Sequence, residues 1–263
     1  MLEKNYPKKQ ENYDFWVSRL NEPKATVCTN DKNLNVLEGE QIAKRIKDNC
    51  SVLEVGCGNG GLFEVIAEKI SLKYYLGTDF VKELVDICNK YYAADGVDFI
   101  QLDMTEINDE TFQNKFDYII SKRAIQNVLD SKLQLKVIES LGSHLNDGGV
   151  MIFVESSSTA QANINGYRKQ FGLEKISPPF YNLFLDDDII KNHKFNSVKL
   201  VDIDRFAGNF YFITRVIYAR LCKEYLNESP SYDHPLNAIG LSMEGNDFVQ
   251  DFSQTKTYIF RKS

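Results

Sequence analysis

Ser51-Val52-Leu53-Glu54-Val55-Gly56-Cys57-Gly58-Asn59-Gly60-Gly61 decides how the rest of this 263-residue chain is read. Val52, Leu53 and Val55 make a largely β-branched, apolar run that enters a cluster of glycines, and Leu62-Phe63-Glu64-Val65-Ile66-Ala67 continues at helical spacing. The order is strand, tight turn, helix. Glycine carries no Cβ, so it reaches positive φ and lets backbone N–H groups and a helix start approach a ligand closely. Such a turn cradles a nucleotide-like molecule.

On either side of the turn, apolar runs alternate with helical periodicity. Leu37, Ile42, Ala43 and Ile46 predict an amphipathic helix over 37–48 that leads into the glycine strand. A helix to about Lys69 follows the turn, then a strand Tyr74–Asp79, a helix through Leu84, Val85, Ile87 and Cys88, and a strand Val97–Asp103. Phe116–Ser121 reads as a fourth strand, Leu133–Leu145 as a helix broken by Gly148-Gly149, and Val150–Glu155 as a fifth strand. This alternation predicts an α/β protein with a parallel sheet covered by helices on both faces. Residues 1–35 are polar with scattered aromatics and predict an N-terminal arm or cap, with a short helix at Asp14–Leu20 and Trp16 placed to close over a ligand. Residues 36–263 form the main domain, interrupted by two lid or substrate-binding insertions at 157–195 and 208–252, the second with a helix near Phe212–Tyr225. Ser197–Ile203 and Thr255–Arg261 resume strand character.

With 43% hydrophobic residues the chain can bury a sizeable core, and its net charge of −6 argues against a nucleic-acid partner. Five cysteines, an odd and widely spaced set with no C-x-x-C pair, predict a reduced, cytoplasmic setting and no metal site. The N-terminus lacks the apolar core of a signal peptide, and no run of about eighteen apolar residues predicts membrane insertion.

The glycine spacing admits two ligands. Gly56, Gly58 and Gly61 fit the dinucleotide pattern G-x-G-x-x-G, and Gly56, Gly58 and Gly60 fit the G-x-G-x-G of S-adenosylmethionine (SAM) sites. Asp79, about twenty residues on, suits the ribose of either. Glu54, before the turn, faces an ammonium well and a pyrophosphate badly. Asp103, at the next strand end, can accept a hydrogen bond from an adenine amino group. Three acids at three strand ends favour the cationic cofactor.

Val52-Leu53-Glu54-Val55-Gly56-Cys57-Gly58-Asn59-Gly60, Gly77-Thr78-Asp79, Gln101-Leu102-Asp103-Met104, Phe116–Ser121 and Leu145-Asn146-Asp147-Gly148-Gly149 together resemble the class I SAM-dependent methyltransferases over about residues 36–156. The resemblance implies their Rossmann-like sheet, closed here by Thr255–Arg261, and SAM as cofactor. It implies that Gly56, Gly58 and Gly60 line the methionine part, with Asp79 on the ribose and Asp103 with Met104 on the adenine. Phe80 is placed to stack on the adenine, and Ser121 completes the cofactor set.

Methyl transfer from a sulfonium is an in-line displacement, so a base is needed only where the acceptor enters protonated. Ser177-Pro178-Pro179-Phe180 matches a nitrogen-methylating turn in letters but lies beyond the fifth strand, and reads as a loop constraint. Arg123, Arg168 beside Tyr167, and Arg215 beside Tyr211 would select an anionic small-molecule acceptor. His234 and Glu155 are the candidate bases. The insertions resemble methyltransferases of bacterial surface-polysaccharide (capsule) biosynthesis, which implies O-methylation of a saccharide- or nucleotide-linked acceptor such as a capsule phosphoramidate. An RNA or protein methyltransferase, or a SAM-binding subunit without turnover, stays in competition.

Overall fold

The structure is a computed structural model and describes residues 9–22, 27–243 and 252–263. Parts of the expected arm (1–8 and 23–26) and of the second insertion (244–251) lie outside the described residues.

Seven strands form one sheet: β1 (Cys50–Val55), β2 (Leu72–Asp79), β3 (Val97–Gln101), β4 (Phe116–Lys122), β5 (Leu145–Ser156), β6 (Val198–Arg205) and β7 (Thr255–Lys262). Their order is β3-β2-β1-β4-β5-β7-β6, parallel from β3 to β5 and antiparallel where β7 inserts between β5 and β6. The chain winds outward from β1 through β2 and β3, then returns to place β4 on the other side of β1. That reversal opens a crevice at the carboxyl ends of β1 and β4, where ligands of open α/β sheets bind.

The period-2 alternation of strands divides the core into two halves. Val52, Ile120, Ile152 and Val154 face α2 (Lys32–Ala43), α3 (Gly61–Ala67) and α4 (Lys82–Tyr92). Leu53, Val55, Ile119, Met151 and Phe153 face α5 (Ser131–Ser143) and α7 (Asp187–Asn192). α6 (Ser158–Gln170) lies between them in sequence and sends Ile164 into the first half. Leu185 and Ile190, within the expected first insertion, are core residues of the second half.

Several boundaries differ from the sequence expectations for local reasons. α2 begins earlier than expected because Asp31 caps it, its side chain accepting from the Leu34 N–H at 3.0 Å. The arm's helix, α1, spans Lys9–Ser18 and ends in a 3₁₀ turn, Arg19–Asn21. Gly148-Gly149 does not precede β5 but bulges within it: Phe116 pairs with Leu145, yet Tyr118 pairs with Val150. The helix expected near 212–225 runs over 208–226 as α8 (Gly208–Phe212), a π segment Ile213–Tyr218, α9 (Ala219–Leu221) and a second π segment Cys222–Leu226. α10 (Pro235–Ser242) packs on it.

Two polar devices fix the ends that frame the crevice. Asp187 accepts from Ser157 Oγ at 2.8 Å, Lys256 Nζ at 2.5 Å and Tyr258 Oη at 2.6 Å, joining α7 to the ends of β5 and β7. Burial raises the pKa of Asp187 but its three donors overcome that and hold it below the usual carboxylate range. On the opposite side, α1 is tied down by Asn12 Nδ2 to the Asn127 carbonyl at 2.9 Å and by Tyr13 Oη to Glu83 at 2.9 Å.

Candidate active site

A cavity of about 1060 Å³ occupies the crevice. It is at the upper end of the range for small-molecule sites, with space for a nucleoside cofactor and a second ligand. Glu54, Gly56, Gly58, Asp79, Phe80, Asp103 and Met104 line one end, and Lys122, Arg123, Arg168, Tyr211 and Arg215 line the other. Phe15, Trp16 and Arg19 of the N-terminal arm line it too.

The glycine turn is shaped by close approach. Gly56 has φ +74°, and a Cβ there would sit 2.1 Å from the Ala124 methyl. Gly58 has φ +54°, and its Cβ would meet Cys28 Sγ at 2.6 Å. Both positions require glycine whatever binds. The N–H groups of Gly56 and Cys57 donate to the Thr78 carbonyl at 2.7 and 2.9 Å, and Gly58 N–H donates to Asp79 Oδ2 at 2.9 Å. Asp79 Oδ1 accepts from Val81 N–H at 2.9 Å. Burial pushes Asp79 up to about 6, against these N–H donors, which favour its charge. Each carboxylate oxygen retains acceptor capacity for a ribose hydroxyl.

Glu54 is buried at the end of β1 and accepts from Tyr75 Oη. Desolvation pushes it up to about 7, although the Tyr75 bond and the Lys122 charge pull the other way. A cationic ligand at this place would recover the cost of ionising it. Asp103 Oδ1 accepts from the Thr105 N–H and hydroxyl, both at 2.8 Å, and Asp103 Oδ2 pairs with Lys9 Nζ at 2.5 Å. The edge of the Phe80 ring meets Tyr13 with centroids 5.8 Å apart, so α1 buttresses it. The cavity's acceptor set, three acids at successive strand ends beside a glycine turn, fits a ligand carrying an ammonium, a ribose and an amino-bearing base.

At the other end, Arg215 is ion-paired to Asp31 and lies near three aromatic rings, with its guanidinium carbon 5.1 Å from the Tyr232 centroid, 5.6 Å from Tyr211 and 5.8 Å from Phe210. Arg168 donates through Nε to the Glu174 carbonyl at 2.8 Å and through Nη1 to the Arg215 carbonyl. Its pKa is lowered by burial and by the neighbouring Arg215 charge, a strain that a bound anion would relieve. Arg123, at φ +55°, reaches the buried Glu38 at 3.0 Å. Tyr211 Oη shares a hydrogen with Thr255 Oγ1 at 2.8 Å.

Five expected site residues lie outside the lining. Ser121 and Glu155 sit on the opposite face of the sheet from Glu54, because β1 and β4 pair Glu54 with Ile120, one residue out of phase with Ser121. Glu155 instead accepts from Ser121 Oγ at 2.7 Å and from the N–H groups of Ala124, Ile125 and Gln126 at 3.1 to 3.2 Å. Its oxygens fold the loop after β4, and burial pushes it up to about 7 in spite of those donors. His234 caps α10, with Nδ1 accepting from Leu236 N–H at 3.2 Å, and its ring stacks on Tyr218 at 4.4 Å. Gly60 turns toward Tyr92, 2.4 Å from where its Cβ would stand. Tyr167 packs on Phe252 with centroids 4.0 Å apart.

Lys122, Asp31 and Tyr181 also line the cavity, and Glu38 pairs with Arg123, although no sequence pattern marks them for the site. Lys122 shares the Glu54 face two residues beyond Ile120, a placement set by the β1–β4 register. Tyr181 stacks on Phe15 at 4.1 Å across 166 residues of chain, a contact only the fold creates. Among the described residues, no group of three or more His, Cys, Asp or Glu could hold a metal, and no helix is long and apolar enough to cross a membrane.

A family model described as "Methyltransferase domain" matches residues 46–195, more than half of the chain. Ribosomal protein L11 methyltransferase of Lactobacillus johnsonii is 31% identical over 103 residues, 39% of this chain and 30% of that protein. Carboxy-S-adenosyl-L-methionine synthase of Campylobacter lari is 28% identical over 109 residues, 41% of this chain and 44% of that protein. The chain thus spans less than half the length of these curated relatives. Among solved structures, the N-methyltransferase NodS from Bradyrhizobium japonicum, in complex with S-adenosyl-L-homocysteine, is similar with a TM-score of 0.58 at 11% identity, covering 95% of this chain and 98% of that one. Magnesium protoporphyrin IX methyltransferase from Synechocystis, also with that product bound, gives 0.52 at 11% identity, covering 97% and 96%. At such identities the likeness concerns the fold.

Proposed function

The chain belongs to the methyltransferase-domain family of class I SAM-dependent methyltransferases, and from this premise we propose that it methylates an oxygen of a small, anionic, saccharide- or nucleotide-linked acceptor of the kind used in surface-polysaccharide synthesis. The observation that carries the reading is the cavity's lining, in which Lys122, Arg123, Arg168 and Arg215 gather around one lining carboxylate, Asp31, while Glu54, Asp79 and Asp103 stand at the ends of β1, β2 and β3. Glu54 holds the cofactor's ammonium, Asp79 its ribose and Asp103 its adenine, with Gly56 and Gly58 letting the backbone approach. SAM supplies an electrophilic methyl group on a sulfonium.

The chain's own work is alignment and exclusion of water. Arg168 and Arg215 clamp the acceptor's anionic group, and Arg123 stands next to the carboxyl end of β4. Phe15, Trp16 and Tyr181 roof the cavity, with Trp16 and Tyr181 centroids 5.5 Å apart. That roof favours a small acceptor over a folded protein or an RNA. The organisation that follows is an arm over residues 1–35 acting as cap and a methyltransferase domain over 36–263, with acceptor-side segments in 157–195 and 208–252. The test is release of S-adenosylhomocysteine from SAM in the presence of nucleotide sugars and sugar phosphates. Release with these and none with neutral sugars is expected. Release only with a protein or RNA fraction would overturn the reading.

A further inference from the structure

With Glu155 turned to the opposite face of the sheet and His234 outside the cavity, the proton of a hydroxyl acceptor needs another destination. We infer that Lys122 is that destination, and hence that the methylated group is a hydroxyl whose anionic substituent is held at a distance by the arginines. This rests on the methyltransferase reading above and deepens it.

The geometry comes from register. Glu54 pairs with Ile120, and Lys122 lies two residues further along β4 on the same face, about 7 Å beyond. Its side chain lines the cavity, where its charge interacts with both Glu54 and Arg123. Lys122 Nζ donates to Asn35 Oδ1, which orients the amine and leaves the lone pair of its neutral form free to point elsewhere. Among the described residues, five of the cavity's six carboxylates are engaged: Glu54, Asp79 and Asp103 at the cofactor end, Asp31 with Arg215, and Glu64 with Tyr92 Oη at 2.5 Å.

The surroundings of Lys122 set its charge. Desolvation lowers its pKa, Arg123 lowers it further, and Glu38 of α2, Glu54 of β1 and Cys28 oppose this, with a net depression. Cofactor binding adds to the depression twice, because an ammonium neutralises Glu54 and a sulfonium adds a positive charge nearby. In the reaction, the acceptor oxygen bonds to the methyl carbon while the carbon–sulfur bond breaks and leaves its electron pair on sulfur. The hydroxyl proton passes to the neutral Lys122 Nζ. The resulting ammonium returns a proton to solvent as the products leave, so charge and atoms balance.

The test compares binding of SAM, which has the sulfonium, with S-adenosylhomocysteine, which lacks it, by calorimetry as pH is raised from 8 toward the ordinary lysine value of 10.5. Glu54, pushed up to about 7, is almost wholly ionised above pH 8, and the amino group common to both ligands cancels in the ratio of affinities. As Lys122 loses its proton, repulsion of the sulfonium ends, so the ratio should rise in favour of SAM by roughly fivefold or more. In Lys122→Met the rise should vanish with the ratio high throughout, and in Lys122→Arg it should vanish with the ratio low. S-Adenosylhomocysteine affinity in both variants reports an intact fold. A flat ratio in the wild-type protein, or an unchanged rise in Lys122→Met, overturns the assignment. Failure of both ligands to bind the wild-type protein would instead overturn the methyltransferase reading beneath it.

Discussion

Replacing Glu54 by Gln should strengthen the empty protein and cripple cofactor binding, because the carboxylate is held in a place that only a cationic ligand makes comfortable. Its folded pKa is raised from 4.5 to about 7, chiefly by burial. An acid with a raised folded pKa holds its proton more tightly folded than unfolded, so its contribution is present below pH 4.5 and is lost as pH climbs through 7. The 2.5-unit gap corresponds to about 3 kcal/mol. Glutamine imitates the protonated form and still accepts from Tyr75, so at pH 8 Glu54→Gln should unfold at higher denaturant, with a gain of up to about 3 kcal/mol. Binding should show the reverse. Removing a charged hydrogen-bond partner of the cofactor's ammonium costs about 1.5–3 kcal/mol, or roughly 10- to 150-fold in affinity. In the wild-type protein, S-adenosylhomocysteine should bind about eightfold more tightly at pH 7.5 than at pH 6, as ionisation of Glu54 ceases to oppose binding. Calorimetry in buffers of differing ionisation enthalpy should show proton release near pH 6, and Glu54→Gln should remove the larger share of both effects, leaving the part that Asp79, itself pushed up to about 6, contributes. Equal affinity at the two pH values, or wild-type affinity in Glu54→Gln, would refute the assignment of Glu54 to the ammonium.

Gly56→Ala forces a Cβ to 2.1 Å from Ala124 at positive φ, so it should lose cofactor binding and more than about 1 kcal/mol of stability, read by calorimetry and chemical denaturation. His234→Ala removes a helix cap and should cost about 0.5–2 kcal/mol while leaving S-adenosylhomocysteine affinity unchanged in the same assays. Asp187→Asn breaks a buried ion pair with Lys256 and should cost about 3–5 kcal/mol, seen as a lowered midpoint of urea unfolding.

The glycine turn, the acids at the ends of β1, β2 and β3, and the alternation of strands and helices were legible because each is a local pattern with a local cause. Asp31 was legible in principle as a helix cap, yet its pairing with Arg215 spans 184 residues and belongs to the fold. Ser121 and Glu155 stand at strand ends but on the face of the sheet away from Glu54, which strand-end position alone does not reveal. Separating them from the Glu54 face takes the β1–β4 register, Glu54 opposite Ile120, which no local pattern reveals. His234 caps α10, and a histidine in a polar loop carries no mark in the sequence that separates a helix cap from a base. The arginine end of the cavity was foreseen in residues but not in geometry, since Arg123, Arg168 and Arg215 come from three elements that only packing brings to one wall.

The most direct measurement of the central claim is incubation with SAM carrying a labelled methyl group and a fractionated pool of nucleotide sugars, sugar phosphates, protein and RNA. The account predicts stoichiometric S-adenosylhomocysteine release, with label in the anionic sugar fraction that survives mild base as an ether. Label confined to protein or RNA, or tight cofactor binding with no label in any fraction, would contradict it.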